Sequence, residues 1–197
     1  MNIGWNMETY VSIITLILSI AATYLIVKID WKNYGLLFII SAITGIILCY
    51  IFICLGLYTF PYRLFPKISR TPFTAILTIF PFYILLGVRY SPRQWSWKIP
   101  FYWVLVHIGM SAEVWAEKCT DLISYGPRWN MWESYTWWWI FLLVFEWVGG
   151  MIVPQDKRKP LDQELLRHGK IGWFILHFIL ICTIFIAGVL MGFSLGK

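Results

Sequence analysis

Residues 34–58 read YGLLFIISAITGIILCYIFICLGLY, a run of 25 residues with no charged side chain. A bilayer core about 30 Å thick is crossed by about 20 apolar residues in a helix. The run is apolar on all sides. A strand of a membrane barrel would instead alternate apolar and polar positions, so the reading is a lipid-embedded helix. Five further stretches read the same way, giving spans Thr9–Ile29, Tyr34–Tyr58, Pro72–Val88, Pro100–Cys119, Ser134–Val153 and Ile171–Phe193. The expected fold is therefore all-α, a polytopic bundle of six transmembrane helices forming a single integral membrane domain over residues 1–197.

The totals agree. Of 197 residues, 59% are hydrophobic and 13% charged, with a mean hydropathy of +0.69. A soluble domain carries about 25% charged residues, so this composition suits a surface facing lipid. The net charge of +6 sits between the apolar runs. It points to lipid headgroups rather than nucleic acid. The four cysteines form no C-x-x-C pair and no zinc spacing, and no disulfide framework or cofactor motif is visible. Glu8 stands where a signal peptide would be basic, and the run from Tyr10 to Val27 is long for a signal h-region, so it reads as a retained first span.

The polar stretches punctuate the runs. Thr71-Pro72 reads as an N-cap followed by proline at the first helical position, and Pro81 is expected to kink the third span. Lys and Arg number ten on the side of the first, third and fifth loops and six on the other. That bias predicts both termini outside and Pro154–Lys170 in the cytoplasm. The run Lys157-Arg158-Lys159 is expected to touch anionic headgroups.

Ionisable residues inside a span are costly and are functional candidates. The fourth span carries Glu113 and Glu117, with Asp121 beyond, stacked on one face at i, i+4 and i+8; His107 falls on the same stripe. Two carboxylates one turn apart repel, an arrangement used for acid–base chemistry. Glu117 and Asp121 have a plainer reading as boundary residues meeting water and headgroups. Glu146 in the fifth span and His177 in the sixth lie, with His107, about 10 Å from one boundary by helical rise. A Glu between two histidines at one depth suits a proton relay, a metal site or a structural knot. The set lacks the ligands of a good metal site, and a lone membrane His commonly serves only an interhelical hydrogen bond. Aromatics make up 19% of the chain, with six tryptophans between Trp129 and Trp147. Interfacial belts and core packing account for many of them. An aromatic pocket with one acidic group would also stabilise a cation.

The segment 113–134, EVWAEKCTDLISYGPRWNMWES, resembles an uncharacterised family of small multi-span membrane proteins from spore-forming bacilli and clostridia. The pattern falls on Glu113, Thr120, Leu122-Ile123, Tyr125, Trp129 and Ser134, and implies a bacterial cytoplasmic membrane. A looser analogy joins membrane carboxylates and aromatics to integral-membrane isoprenoid cyclases.

Three functions fit the sequence. The leading one is a non-catalytic membrane component or partner subunit whose polar groups join helices. The second is an intramembrane acid–base enzyme on a lipid or isoprenoid, with Glu113 as acid and Glu146 as anion or base. The third is a proton- or cation-coupled transporter. The expected partners are membrane lipid and, beyond it, a hydrophobic small molecule or a membrane protein. An apolar-walled cavity containing Glu113 favours the enzyme, a continuous wet path the transporter, and a filled core the subunit.

Overall fold

A computed structural model describes residues 4–161 and 169–195. Its helices are α1 (Met7–Val27), α2 (Trp31–Cys54), α3 (Phe73–Ile76), α4 (Ile79–Tyr90), α5 (Trp95–Cys119), α6 (Met131–Ile152) and α7 (Gly169–Leu195). Two short strands, β1 (Tyr58–Thr59) and β2 (Ser124–Tyr125), pair antiparallel with Tyr58 opposite Tyr125. Helices therefore dominate, as expected. Four helical segments are long and apolar enough to cross a membrane: α1, α2, Phe73–Tyr90 and α6. In α5, Lys98, Glu113, Glu117 and Lys118 dilute the apolar content. In α7, Leu176–Leu190 is a shorter apolar stretch.

Hydrogen bonds tie the two ends of the bundle. At one end, the ribbon end, Tyr62 N donates to Asp121 O at 2.7 Å, and Gly126 N to Leu57 O at 2.8 Å. A Cβ on Gly126 would stand 2.2 Å from the Gly56 carbonyl oxygen, so only glycine lets these backbones meet. At the opposite end, Lys159 N donates to Arg89 O at 2.9 Å and Leu161 N to Tyr90 O at 3.1 Å. There Tyr34 Oη also donates to Lys157 O at 3.1 Å. The segment after α6 is thereby docked under α2 and α4.

Local chemistry sets the helix starts. Asn6 caps α1 through Thr9 N, and Asp30 caps α2 through Asn33 N. Those Asn33 hydrogen bonds, side chain first and backbone second, hold the Asp30 carboxyl below its ordinary range. A capping box of Asn130 and Glu133 starts α6 three residues before the expected Ser134. The Thr71 expectation is corrected: Pro72 is the cap residue of α3, with no side-chain cap bond, while Thr71 N turns to Ser69 Oγ. The third span breaks at Leu77–Thr78, between α3 and α4, and Pro81 lies in the first turn of α4. Proline has no N–H for the carbonyl four residues back, which is Leu77, so the break falls one turn before the ring. Pro100 does not start α5, which begins at Trp95 and carries the proline inside it. The carbonyl this frees is Ser96 O, and His177 Nε2 of α7 lies 3.4 Å from it.

The core joins α2, α4, α5 and α6 through Tyr34, Leu37, Leu85, Val106 and Leu142. Outward, Ile14, Leu18, Ile43, Ile47, Phe178 and Phe185 are exposed. An apolar surface this continuous is compatible with a membrane location.

Candidate functional site

A cavity of about 370 Å³ opens near the ribbon end, framed by α1, α2, α4, α5 and α6. Its walls are mostly apolar and rich in rings: Phe52, Trp129, Trp137, Trp138, Phe80 and Phe141. Phe52 packs against Trp129 and Trp137 at centroid distances of 5.1 and 4.9 Å. Among the described lining residues, Glu113 is the one carboxylate and Arg63 the one cation.

Glu113 is held on both oxygens. Tyr125 Oη donates to Oε1 at 2.8 Å and Trp138 Nε1 to Oε2 at 2.7 Å. Each donor is itself fixed. Tyr125 sits on the β ribbon, and its phenol is pushed up from the ordinary range by burial and then by the Glu113 charge. The Trp138 indole lies over Gly109, where an added Cβ would be 3.0 Å from the ring. Phe80 stacks on it at 5.3 Å, and Tyr83 meets its edge at 5.3 Å. Two neutral donors fill the two near lone-pair positions of the carboxylate. Each oxygen keeps a further acceptor site. The side chain is thus placed to accept a bond from, or attract, a group in the cavity.

Arg63 approaches from the loop after β1. Its Nη1 donates to Phe60 O, while its Nε is buried without a partner among the described residues. Glu113 lies six residues inside the end of α5, about 9 Å deep by helical rise. The cavity therefore combines an apolar, ring-lined body, one fixed carboxylate and one incompletely bonded guanidinium.

The other sequence candidates fall elsewhere. Glu117 pairs with the exposed Lys118 at 3.0 Å and does not line the cavity. Exposed pairs of this kind contribute little. Asp121 N donates to Glu8 Oε1 at 3.4 Å, joining the start of α1 to the ribbon. Glu146 is 2% exposed and bonds Lys98 Nζ; Tyr102 Oη donates to its Oε2 at 2.7 Å, and Arg158 Nη1 lies 3.5 Å from its Oε1. Trp138 and Glu146 are eight residues apart on α6, about 12 Å, so the two carboxylates serve different centres. Glu146, His107 and His177 are not joined to one another by any hydrogen bond among the described residues. His107 Nδ1 contacts its own helix at Trp103 O, 2.8 Å away, and its ring meets Trp103 and Tyr135. His177 Nδ1 contacts Trp173 O at 2.8 Å, and its ring stacks on Trp173.

Arg158 is a correction. It was expected at the headgroups with Lys157 and Lys159, but it is 8% exposed and reaches into the bundle to Glu146, with Nε donating to Val153 O at 3.2 Å. A buried carboxylate recruits the nearest cation that can reach it. Lys157 and Lys159 are exposed. Sequence reading gave no site role to Lys98, Tyr102, Arg63, Tyr125 or Trp138. The i, i+4 spacing of Lys98 and Tyr102 was the available signal, hidden by starting the helix at Pro100. No protein-family model, curated protein or solved structure matches this chain.

Proposed function

We propose that this chain is a multi-pass membrane protein that binds a lipid-class amphipathic molecule in the Glu113 cavity. One observation carries the reading: an apolar, aromatic-walled cavity with a carboxylate, Glu113, fixed in its wall by two donors. A filled core, as a purely structural subunit would have, is not what lies beside Glu113. Pockets that bind small molecules run from about 300 to 1,000 Å³, with few polar groups that fix orientation. At about 370 Å³, this one suits one chain or a short isoprenoid rather than a whole diacyl lipid. If chemistry follows binding, Glu113 acts as an anion or base toward a cationic centre among the rings. Glu146 takes no part in that step.

The same reading places six helices across a bacterial cytoplasmic membrane, with α5 carried by its buried partners and α7 by its apolar length. Among the described residues, the end opposite the ribbon holds Lys28, Lys32, Arg89, Arg93, Lys98, Lys157, Arg158 and Lys159 against Asp30, Glu146 and Asp156. The ribbon end holds Arg63, Lys67, Arg70, Lys118 and Arg128 against Glu8, Glu113, Glu117, Asp121 and Glu133. The basic end belongs at the anionic inner face, so both termini lie outside.

The test is mass spectrometry of lipids retained through purification. Ala112 is exposed at the cavity wall, so Ala112→Trp should fill the opening without entering the core. Wild type should retain one lipid class, and A112W should lose it while eluting as the same folded species. Equal retention by both, or no enrichment in wild type, would count against the reading.

A further inference from the structure

Resting on the proposed cavity, a second question is what head the bound molecule carries. The lining answers through Arg63, the one cation among its described residues. Arg63 has five N–H donors. Its Nη1 is spent on the Phe60 carbonyl, and its Nε is buried, facing no acceptor among the described residues. A buried guanidinium donor left unpaired is costly, and an acceptor supplied by a ligand removes that cost. The Nε edge of a guanidinium, with an adjacent Nη, forms the fork that matches a phosphate or carboxylate in two parallel bonds. No hydrogen bond or ion pair joins Arg63 to Glu113 among the described residues; the carboxylate is turned to Tyr125 and Trp138 instead.

Position supports the same assignment. Arg63 follows β1 at the ribbon end, beside Tyr62, whose hydroxyl lies 2.5 Å from the Thr9 hydroxyl at the start of α1. That is the polar boundary of the bundle. Glu113 and the rings lie deeper along α5 and α6. An amphiphile entering with its chain among Phe80, Trp138 and Phe141 would leave its head at the level of Arg63. We propose that Arg63 reads the head of the ligand, which is a single-chain amphiphile ending in an anionic phosphate or carboxylate.

The assay uses the full chain in neutral phosphatidylcholine nanodiscs, with dodecyl phosphate, dodecanoate and dodecanol as competitors of a chain-diazirine dodecyl phosphate. The readout is photolabelling of cavity peptides, located by mass spectrometry. A charge-assisted pair predicts that an anionic competitor displaces the label at roughly ten- to a hundred-fold lower concentration than dodecanol. Arg63→Gln should erase that difference while dodecanol competition stays unchanged, and Arg63→Lys should restore part of it. Inorganic phosphate alone should not displace the label, which separates a lipid head from a free anion. The unchanged dodecanol competition shows that R63Q is folded. Equal displacement by all three dodecyl compounds in wild type, or a preference that survives in R63Q, overturns the assignment to Arg63 while leaving the cavity reading intact. Label absent from the cavity peptides, or not reduced by Ala112→Trp, overturns the cavity reading and this inference with it.

Discussion

Replacing Glu146 by glutamine tests how the bundle tolerates its buried charges. Glu146, Lys98 and Arg158 are 2%, 8% and 8% exposed. The carboxylate faces two cations and the Tyr102 hydroxyl. Glutamine keeps the shape but leaves one acceptor oxygen in place of two, and no charge. Both cations then lack their counterion. Breaking a buried pair from one side costs about 3–5 kcal/mol. Lys98 stands three residues inside the start of α5 and can swing its ammonium toward the boundary, which favours the lower figure. The expected loss for E146Q is therefore about 3 kcal/mol, roughly a hundred-fold in the folded-to-unfolded ratio. Lys98→Met should cost less, because Arg158 and Tyr102 still satisfy Glu146. The double variant K98M/E146Q should be more stable than E146Q alone, since it removes one of the stranded cations. Reversible unfolding in mixed micelles, followed by circular dichroism, gives all three values. An E146Q loss below about 0.5 kcal/mol, or a double variant as unstable as the two single losses added, would refute the reasoning.

Glu113→Leu should cost about 1–3 kcal/mol, because Tyr125 and Trp138 both lose their acceptor, and Glu113→Gln should cost less, because the amide oxygen accepts from Trp138 while the amide N–H donates to the Tyr125 hydroxyl; a silent Glu113→Leu in the same unfolding assay would mean that those bonds are not both made. Gly149→Ala would place a Cβ 2.4 Å from a Val88 methyl between α6 and α4. It should destabilise by about 1–3 kcal/mol, and Val88→Ala should recover part of the loss. At the start of α2, the Asp30 carboxyl titrates below its ordinary value because Asn33 bonds its charged form. The cap's contribution is present above the unfolded-state value and is lost as pH falls through the lower folded one. A titration midpoint for Asp30 at or above that of a free aspartate in NMR would contradict the cap.

The helices were legible because lipid removes ambiguity. An unbroken apolar run such as residues 34–58 has few folded alternatives once water is absent. The ends were less legible where backbone chemistry decides them. Pro100 looked like a helix start, yet it lies inside α5, and His177 from a distant helix stands at the carbonyl it frees. Glu113 stood out as a buried acid, but its partners come from a two-residue ribbon and from an indole steered by Gly109. Neither can be seen before the chain is folded. Depth alone grouped His107, Glu146 and His177, because helical rise gives height and not direction around the axis. Arg158 read as one of three like residues in a basic run. Only the fold shows that its side chain alone turns inward to Glu146, while those on either side stay exposed.

The most direct test of the account is an experimental density map of the protein reconstituted in bacterial lipid nanodiscs. Elongated density is expected in the cavity beside Glu113, with a rounded end within hydrogen-bonding distance of the Arg63 guanidinium. A cavity closed by its own side chains, or a continuous chain of waters running past Glu113 to the opposite end of the bundle, would contradict it.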